Sequence, residues 1–386
     1  MGYLGVLALI LLATLLLSHF SLKIGIPAVI GELVAGIVFG PALLNWIQPS
    51  HMISEFSEIG VIVLMFIAGL ESDLTMLKKY FRPAVLVAVI GVIVLTGVIF
   101  AFASAWGFSS VAAAFLGITY AATSVSISVE VLKELNALDS KSGATILGAA
   151  VVDDILTVII LSVAVGVFGT GAKTAVPLWL TLIEQVLYFG LIYLVVKWLA
   201  PLVMHLAQHL LPVASVTLGS LLLCLGMAYL ADLLGLSAVI GAFFAGVAVS
   251  ETKYRAEVDQ ALEAIGYGVF IPVFFVSIGL NMRFVGVLHD FWFIVILTGL
   301  ALLTKWLGCG AGAKFAGMAW SDANIIGSGM VSRGEMALIV AQIGFDAHLL
   351  HRDFYSSVII VIVLTTLIAP FMLKAALKRQ AKEIDE

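Results

Sequence analysis

Long apolar runs separated by short polar gaps make up almost the whole chain. A helix needs about 20 apolar residues to cross the hydrocarbon core of a bilayer. By that measure the pattern predicts about thirteen spanning helices, at residues 3–20, 27–45, 57–73, 82–106, 110–134, 142–168, 176–201, 213–232, 236–250, 262–280, 290–313, 322–345 and 354–373. The gaps are short, so no soluble domain is expected beside the bundle. The predicted fold is an all-α polytopic membrane protein. The first run has no basic residues ahead of it and no small-residue cleavage pattern, so it reads as a retained helix and not a signal peptide.

One half of the pattern echoes the other. Ala28-Val29-Ile30-Gly31, followed by Ala35-Gly36, returns as Ala238-Val239-Ile240-Gly241, followed by Ala245-Gly246. Gly69-Leu70 returns as Gly279-Leu280 at the same offset of 210 residues. Six spans, a linker span and six more make thirteen, and an odd linker turns the second six upside down relative to the first. The expected organisation is a single membrane domain with a first repeat over 1–168, a linker helix within 169–212 and an inverted repeat over 213–386. Inverted repeats build many secondary transporters, whose sites lie at mid-bilayer beside discontinuous helices. Interruptions are therefore expected in spans five and twelve. Span five holds the hydroxyl-rich, β-branched run Ala122-Thr123-Ser124-Val125-Ser126-Ile127-Ser128, which is poor helix material. Span twelve holds Gly327-Ser328-Gly329-Met330-Val331-Ser332-Arg333-Gly334, with three glycines in eight residues. The two segments are expected to cross at mid-membrane. The alternative for each is close helix packing through small residues.

Composition agrees with a membrane protein: 62% of the residues are hydrophobic and 11% charged, too few charges for a water-facing surface of this size. With the N-terminus outside and the C-terminus inside, fourteen Lys and Arg residues fall on the inner side, and only Lys173, Arg283 and Arg352 on the outer. The localisation expected is the cytoplasmic membrane. Two basic residues, Lys305 and Arg333, fall within predicted spans. Cys224 and Cys309 lie in apolar runs and form no disulfide or metal pattern.

Candidate chemistry lies at the charges inside spans. Asp153 and Asp154 are consecutive in the apolar stretch 144–167. A charge at the bilayer centre costs at least ~2.5–3.5 kcal/mol, so such a pair marks an ion or proton site. Neighbouring helix residues point about 100° apart, so one carboxylate can face a cavity while the other faces a neighbouring helix. Lys305 is the counter-ion expected for one of them, since pairing sustains both charges where burial disfavours each alone. A cation that neutralises the carboxylate would leave the lysine unsupported and release a proton. Carboxylate, hydroxyl and carbonyl oxygens suit a hard ion such as Na⁺, and no thiolate or imidazole cluster suggests a transition metal. Arg333 and Glu335 flank Gly334 and are candidates for gating or for supporting the second break, with Glu335 placed to cap the following half-helix. Glu32 and Glu71 read as interfacial, with Glu71 and Arg283 a weaker candidate gate. His51 and His205 are candidate pH sensors, set against an interfacial role.

These residues carry a family resemblance. Gly148-Ala149-Ala150-Val151-Val152-Asp153-Asp154, Ala122-Thr123-Ser124-Val125, Arg333-Gly334-Glu335, Pro27-Ala28-Val29-Ile30-Gly31-Glu32 and Gly40-Pro41 resemble the NapA-type sodium/proton antiporters of the second monovalent cation:proton antiporter family. The resemblance implies that Asp154 is the cation and proton carrier, that Asp153 pairs with Lys305, and that Thr123 and Ser124 are ligands, with Ser126 a lesser candidate. It also implies a homodimer in which a core bundle (about 82–168 and 290–375) slides like an elevator against a dimerisation bundle (about 1–73 and 176–280). The related potassium-efflux branch usually carries Gln-Asp and a C-terminal nucleotide-binding domain. This sequence has Asp-Asp and few residues after its last predicted span, so the sodium branch is expected.

The expected function is electrogenic exchange of Na⁺ or Li⁺ for protons, with K⁺/H⁺ exchange as the alternative. No cofactor is expected beyond the transported ions, and the partners expected are membrane lipid and a second copy, with no nucleic acid. An intramembrane aspartyl protease does not fit, because the aspartates are consecutive on one helix and no Gly-x-Gly-Asp occurs. No His-Glu-x-x-His zinc motif occurs either, and no enzymatic activity is expected.

Overall fold

The computed structural model describes residues 2–24, 27–168, 178–210, 214–234, 236–284, 288–346, 349–350 and 354–385. Every regular element among them is helical. In chain order they are α1 (Tyr3–Lys23), α2 (Ala28–Phe39), α3 (His51–Glu71), α4 (Leu74–Trp106), α5 (Ser110–Ala121), α6 (Val125–Glu134), α7 (Lys141–Phe168), α8 (Leu178–Leu194), α9 (Ala200–Ala207), α10 (Ser215–Leu233), α11 (Ala238–Ser250), α12 (Arg255–Ile265), α13 (Ile271–Leu280), α14 (Phe291–Phe315), α15 (Trp320–Gly329), α16 (Glu335–Asp346) and α17 (Tyr355–Asp385). A π-helical turn joins α8 to α9, and another joins α12 to α13. Only helices and closed barrels satisfy every backbone polar group in lipid, and nine helical stretches among the described residues are long and apolar enough to cross a membrane. The fold is an all-α polytopic membrane protein.

Three of the expected spans are interrupted or end differently from the pattern read in the sequence. Residues 27–45 are helical only over Ala28–Phe39, because Gly40 leaves the helix in an extended conformation ahead of Pro41. A residue before proline is held out of the helical region. In span five the irregular backbone is confined to Ala122–Ser124, so Ser126 and Ser128 are helical residues of α6. In span twelve α15 continues through Gly327 and Gly329, and the break covers only residues 330–334.

The chain forms two compact units. The first comprises Met1–Thr14, Pro49–Leu74 and Val176–Ser277; the second comprises Leu15–Gln48, Thr75–Ala175 and Ile278–Glu386. Residues 15–48 belong to the second unit. The reason is local: α2 packs on α6 and α17, and Glu134 accepts a hydrogen bond from the Ala28 amide at 2.9 Å.

Within the first unit α11 packs along α3 and α10. The α3–α11 contact is backbone on backbone, since a Cβ on Gly69 would stand 3.0 Å from the Gly246 Cα. In the second unit, Gly279 would likewise stand 2.9 Å from the Gly36 Cα. The second unit's core joins Leu95, Phe115, Phe293, Leu297, Val340 and Val361. Small residues also bring α4 and α14 together, with Gly91 against Cys309 and Gly312 against the backbone of Val87.

Candidate functional site

Asp153 stands twelve residues into α7, about 18 Å along its axis at 1.5 Å per residue. Its side chain is fully buried. Oδ2 lies 2.6 Å from the Lys305 Nζ on α14 and accepts a 2.6 Å hydrogen bond from the Thr123 hydroxyl. Lys305 is fully buried too, and it donates a second bond, of 2.9 Å, to the Ala121 carbonyl. Asp154 is 4% exposed on the adjoining face of α7. Within the second unit one cluster thus holds Asp153, Lys305 and Thr123, three of the residues singled out in the sequence.

Both broken helices end beside this cluster. In lipid each freed backbone group must find a partner, and the two breaks supply one another. The Ser124 amide donates to the Ser332 carbonyl at 2.9 Å, while the Ser332 hydroxyl donates to the Ser124 carbonyl at 2.8 Å. The Ser128 hydroxyl donates to the Gly329 carbonyl at the end of α15. Gly334 is required there, because a Cβ would come within 2.5 Å of the Ser124 Oγ. Ser124 is buried, and its hydroxyl makes no hydrogen bond among the described residues.

A helix C-terminus carries roughly half a negative charge and favours a cation. Each broken helix places one there. Lys305 binds the Ala121 carbonyl at the end of α5, and Arg333 Nη1 donates to the Met330 and Ser332 carbonyls just past α15 at 3.1 Å each. Arg333 is fully buried, and its own carbonyl accepts from the Thr366 hydroxyl on α17. The two intramembrane cations of the sequence therefore occupy equivalent places, one at the end of each first half-helix.

The remaining candidates lie elsewhere. Ser126 is buried in α6. Glu335 opens α16, but its side chain falls outside the described residues. In the first unit Glu71 accepts, through its carbonyl, from Arg255 at 3.1 Å, and its carboxylate lies with those of Asp259 and Glu263. His51 is exposed beside Glu55, and His205 is exposed beside Gln208. Lys173 and Arg352 are outside the described residues.

Sequence reasoning missed four contributors. Ser128 and Ser332 lie in the hydroxyl- and glycine-rich runs that marked the breaks, so composition pointed at them without separating them from their neighbours. Thr366 and Tyr120, whose hydroxyl donates to the Val358 carbonyl at 2.9 Å, are single polar residues in apolar helices with no local signal. A third buried carboxylate, beyond Asp153 and Asp154, was also passed over. Asp322, at the start of α15, meets Lys141 at 2.6 Å, Gln380 at 2.9 Å and Ser142 at 3.2 Å.

An ion pair and two charge-compensated helix breaks inside an apolar bundle define an ion-translocating membrane protein. Residues 7–379 match the model of the sodium/hydrogen exchanger transmembrane family, and the chain belongs to it. It is 52% identical over 382 residues to a Na⁺/H⁺ antiporter of Enterococcus hirae, covering 98% of this chain and 99% of the relative. It is 43% identical to the Na⁺/H⁺-K⁺ antiporter GerN of Bacillus cereus, covering 95% and 94% of the two chains. The fold is similar to that of the sodium proton antiporter MjNhaP1 from Methanocaldococcus jannaschii, with a TM-score of 0.73, 20% identity and 97% of each chain covered. Family and relatives alike point to a transporter of monovalent cations and protons.

Proposed function

We propose that this protein exchanges Na⁺ or Li⁺ for protons across the cytoplasmic membrane, with Asp154 as the carrier of cation and proton in turn. The observation that carries the reading is the buried Asp153–Lys305 pair at 2.6 Å, set between two broken helices. A cation arriving at the carboxylates competes with the lysine for Asp153. Lys305 then holds its proton less firmly, and Asp154 must give up its own to bind the cation. Two protons are thereby set against one Na⁺, so each cycle moves net charge and responds to voltage at ~2.3 kcal/mol per 100 mV. Thr123 and Ser124 are the hydroxyl ligands in this reading.

Alternating access takes the form of an elevator within a homodimer. The core bundle of about 82–168 and 290–375, which contains the ion pair and both breaks, is the moving body in this reading, and the bundle of about 1–73 and 176–280 is the dimerising one. The N-terminus lies outside and the C-terminus inside, with Lys141 and Lys314 on the inner side.

The test uses proteoliposomes with an acid interior, to which Na⁺, Li⁺ or K⁺ is added outside. Sodium should dissipate the pH gradient in the wild type and not in Asp154→Ala. Equal sodium-driven proton movement in the variant would remove Asp154 from its role. The name of the Bacillus cereus relative includes potassium, which favours K⁺/H⁺ exchange as the second reading. A gradient that collapses with K⁺ alone would establish that alternative.

A further inference from the structure

An open groove of about 640 Å³ runs along the outer side of α14 and α15 in the second unit. Trp306, Leu307, Gly310, Ala311 and Phe315 line it on α14, and Trp320 and Ala323 on α15. Its depth is set by helix geometry. Lys314 and Trp306 are eight residues apart on one helix, so the groove descends about 12 Å from the level of Lys314 toward the membrane centre. The walls are apolar and open: Leu307 is 57% exposed and Trp320 74%.

The rim is basic and aromatic. Lys314 Nζ stands 4.9 Å from the centroid of the Trp320 ring and donates to the Met318 carbonyl. Trp320 and Asn324 also line a second, smaller cavity of about 230 Å³, together with Ser321, Arg379 and Gln380. Arg379 belongs to a basic stretch of α17, with Lys374, Lys378 and Lys382 within nine residues. Tryptophan and lysine at a helix end mark the headgroup level, and clustered Lys and Arg beside a spanning helix attract anionic lipid. Asp322, the acidic residue next to the rim, is buried and already held by Lys141.

We propose that this groove is a binding site for an anionic phospholipid, one acyl chain lying along Trp306, Leu307 and Phe315 with the phosphate between Lys314 and Arg379. The site is not part of the ion pathway but shares its frame. Trp306 follows Lys305 directly, its indole N–H donates to Asn324 at 3.0 Å, and its backbone is met by Gly327 of α15. A chain in the groove therefore braces the two helices that carry Lys305 and lead to the second break.

The test is native mass spectrometry of the full chain in detergent, with equal amounts of phosphatidylglycerol and phosphatidylcholine. Wild type should retain phosphatidylglycerol preferentially. The double variant Lys314→Gln/Arg379→Gln should lose that preference by about thirtyfold, the effect of two interfacial cations. Ala311→Trp, which fills the groove, should reduce retention of the preferred lipid while the cations remain. No preference in the wild type, or one that survives both variants, would overturn the site. A change from dimer to monomer in Ala311→Trp with lipid retention intact would instead make the groove a contact between copies, and would also overturn it. The readout is lipid retention and not transport, so the result stands apart from the exchange reaction.

Discussion

Lys305 serves two masters, the Asp153 carboxylate and the open end of α5, and both lie within 3 Å of one ammonium. Removing one partner of a buried ion pair strands the other charge, at a cost of about 3–5 kcal/mol, whereas removing both is far milder. Lys305→Ala should therefore lower thermal stability in detergent more than Lys305→Ala/Asp153→Asn does. A double variant as unstable as the sum of the singles would mean that the two do not act as a pair. Thr123 offers a finer probe, because Val keeps its shape and loses only the hydroxyl that donates to Asp153. A hydrogen bond to a charged group contributes about 1.5–3 kcal/mol. Thr123→Val should leave a folded protein whose half-maximal Na⁺ concentration rises at least severalfold in the proteoliposome assay. An unchanged concentration would show that the hydroxyl neither holds Asp153 nor meets the cation.

Among elements, the broken helices carry the most specific geometry, and Gly334 is their closest point. Adding a methyl there drives into the Ser124 side chain, and overpacking of this kind costs about 1–3 kcal/mol. Gly334→Ala should weaken Na⁺-driven proton movement and slightly lower stability, and the companion change Ser124→Gly should recover the stability by giving the methyl room. Failure of that rescue would show that the strain lies elsewhere. The buried charges Asp153, Asp154 and Lys305 and the two breaks stood out in the sequence, because charge and hydroxyl-rich or glycine-rich runs are conspicuous against an apolar background, whereas Thr123 was picked out only through the family resemblance. The limits of the breaks were not. Gly327 and Gly329 look like helix looseners, yet both lie within α15, where the lack of a side chain admits the Trp306 backbone and the Ile146 side chain. A glycine kept for close packing and a glycine kept for irregular backbone are identical in one dimension. Thr366 is illegible for a related reason, since besides the nearby Ile362 carbonyl its hydroxyl reaches the Arg333 carbonyl 33 residues away, which is open to it only because the helix is broken there.

At the scale of the molecule, the offset of 210 residues becomes a rule of packing. A Cβ on Gly279 would meet the Leu33 carbonyl, the Gly36 Cα and the Ile37 amide; one on Gly69 would meet the Phe243 carbonyl, the Gly246 Cα and the Val247 amide. Each atom of the second set belongs to the residue 210 places after its counterpart in the first. Gly31 against Leu17 and Ser18 is repeated in the same way by Gly241 against Met227 and Ala228. The two units thus each contain one copy of a single contact pattern, Gly69 of α3 on α11 in the first and Gly279 on α2 in the second. Such contacts tolerate no side chain, because what faces the glycine is backbone and cannot rotate away. Gly69→Val and Gly279→Val should therefore destabilise the protein to nearly the same extent, each by more than the ~1–3 kcal/mol of ordinary overpacking, as read from thermal unfolding in detergent. Their effects on transport should differ, because Gly279 lies in the unit that holds the ion pair and Gly69 does not. Equal loss of stability with unequal loss of Na⁺-driven proton movement would separate the shared architecture from the work each unit performs. Unequal stability would mean that the repeats have diverged in packing despite their common register.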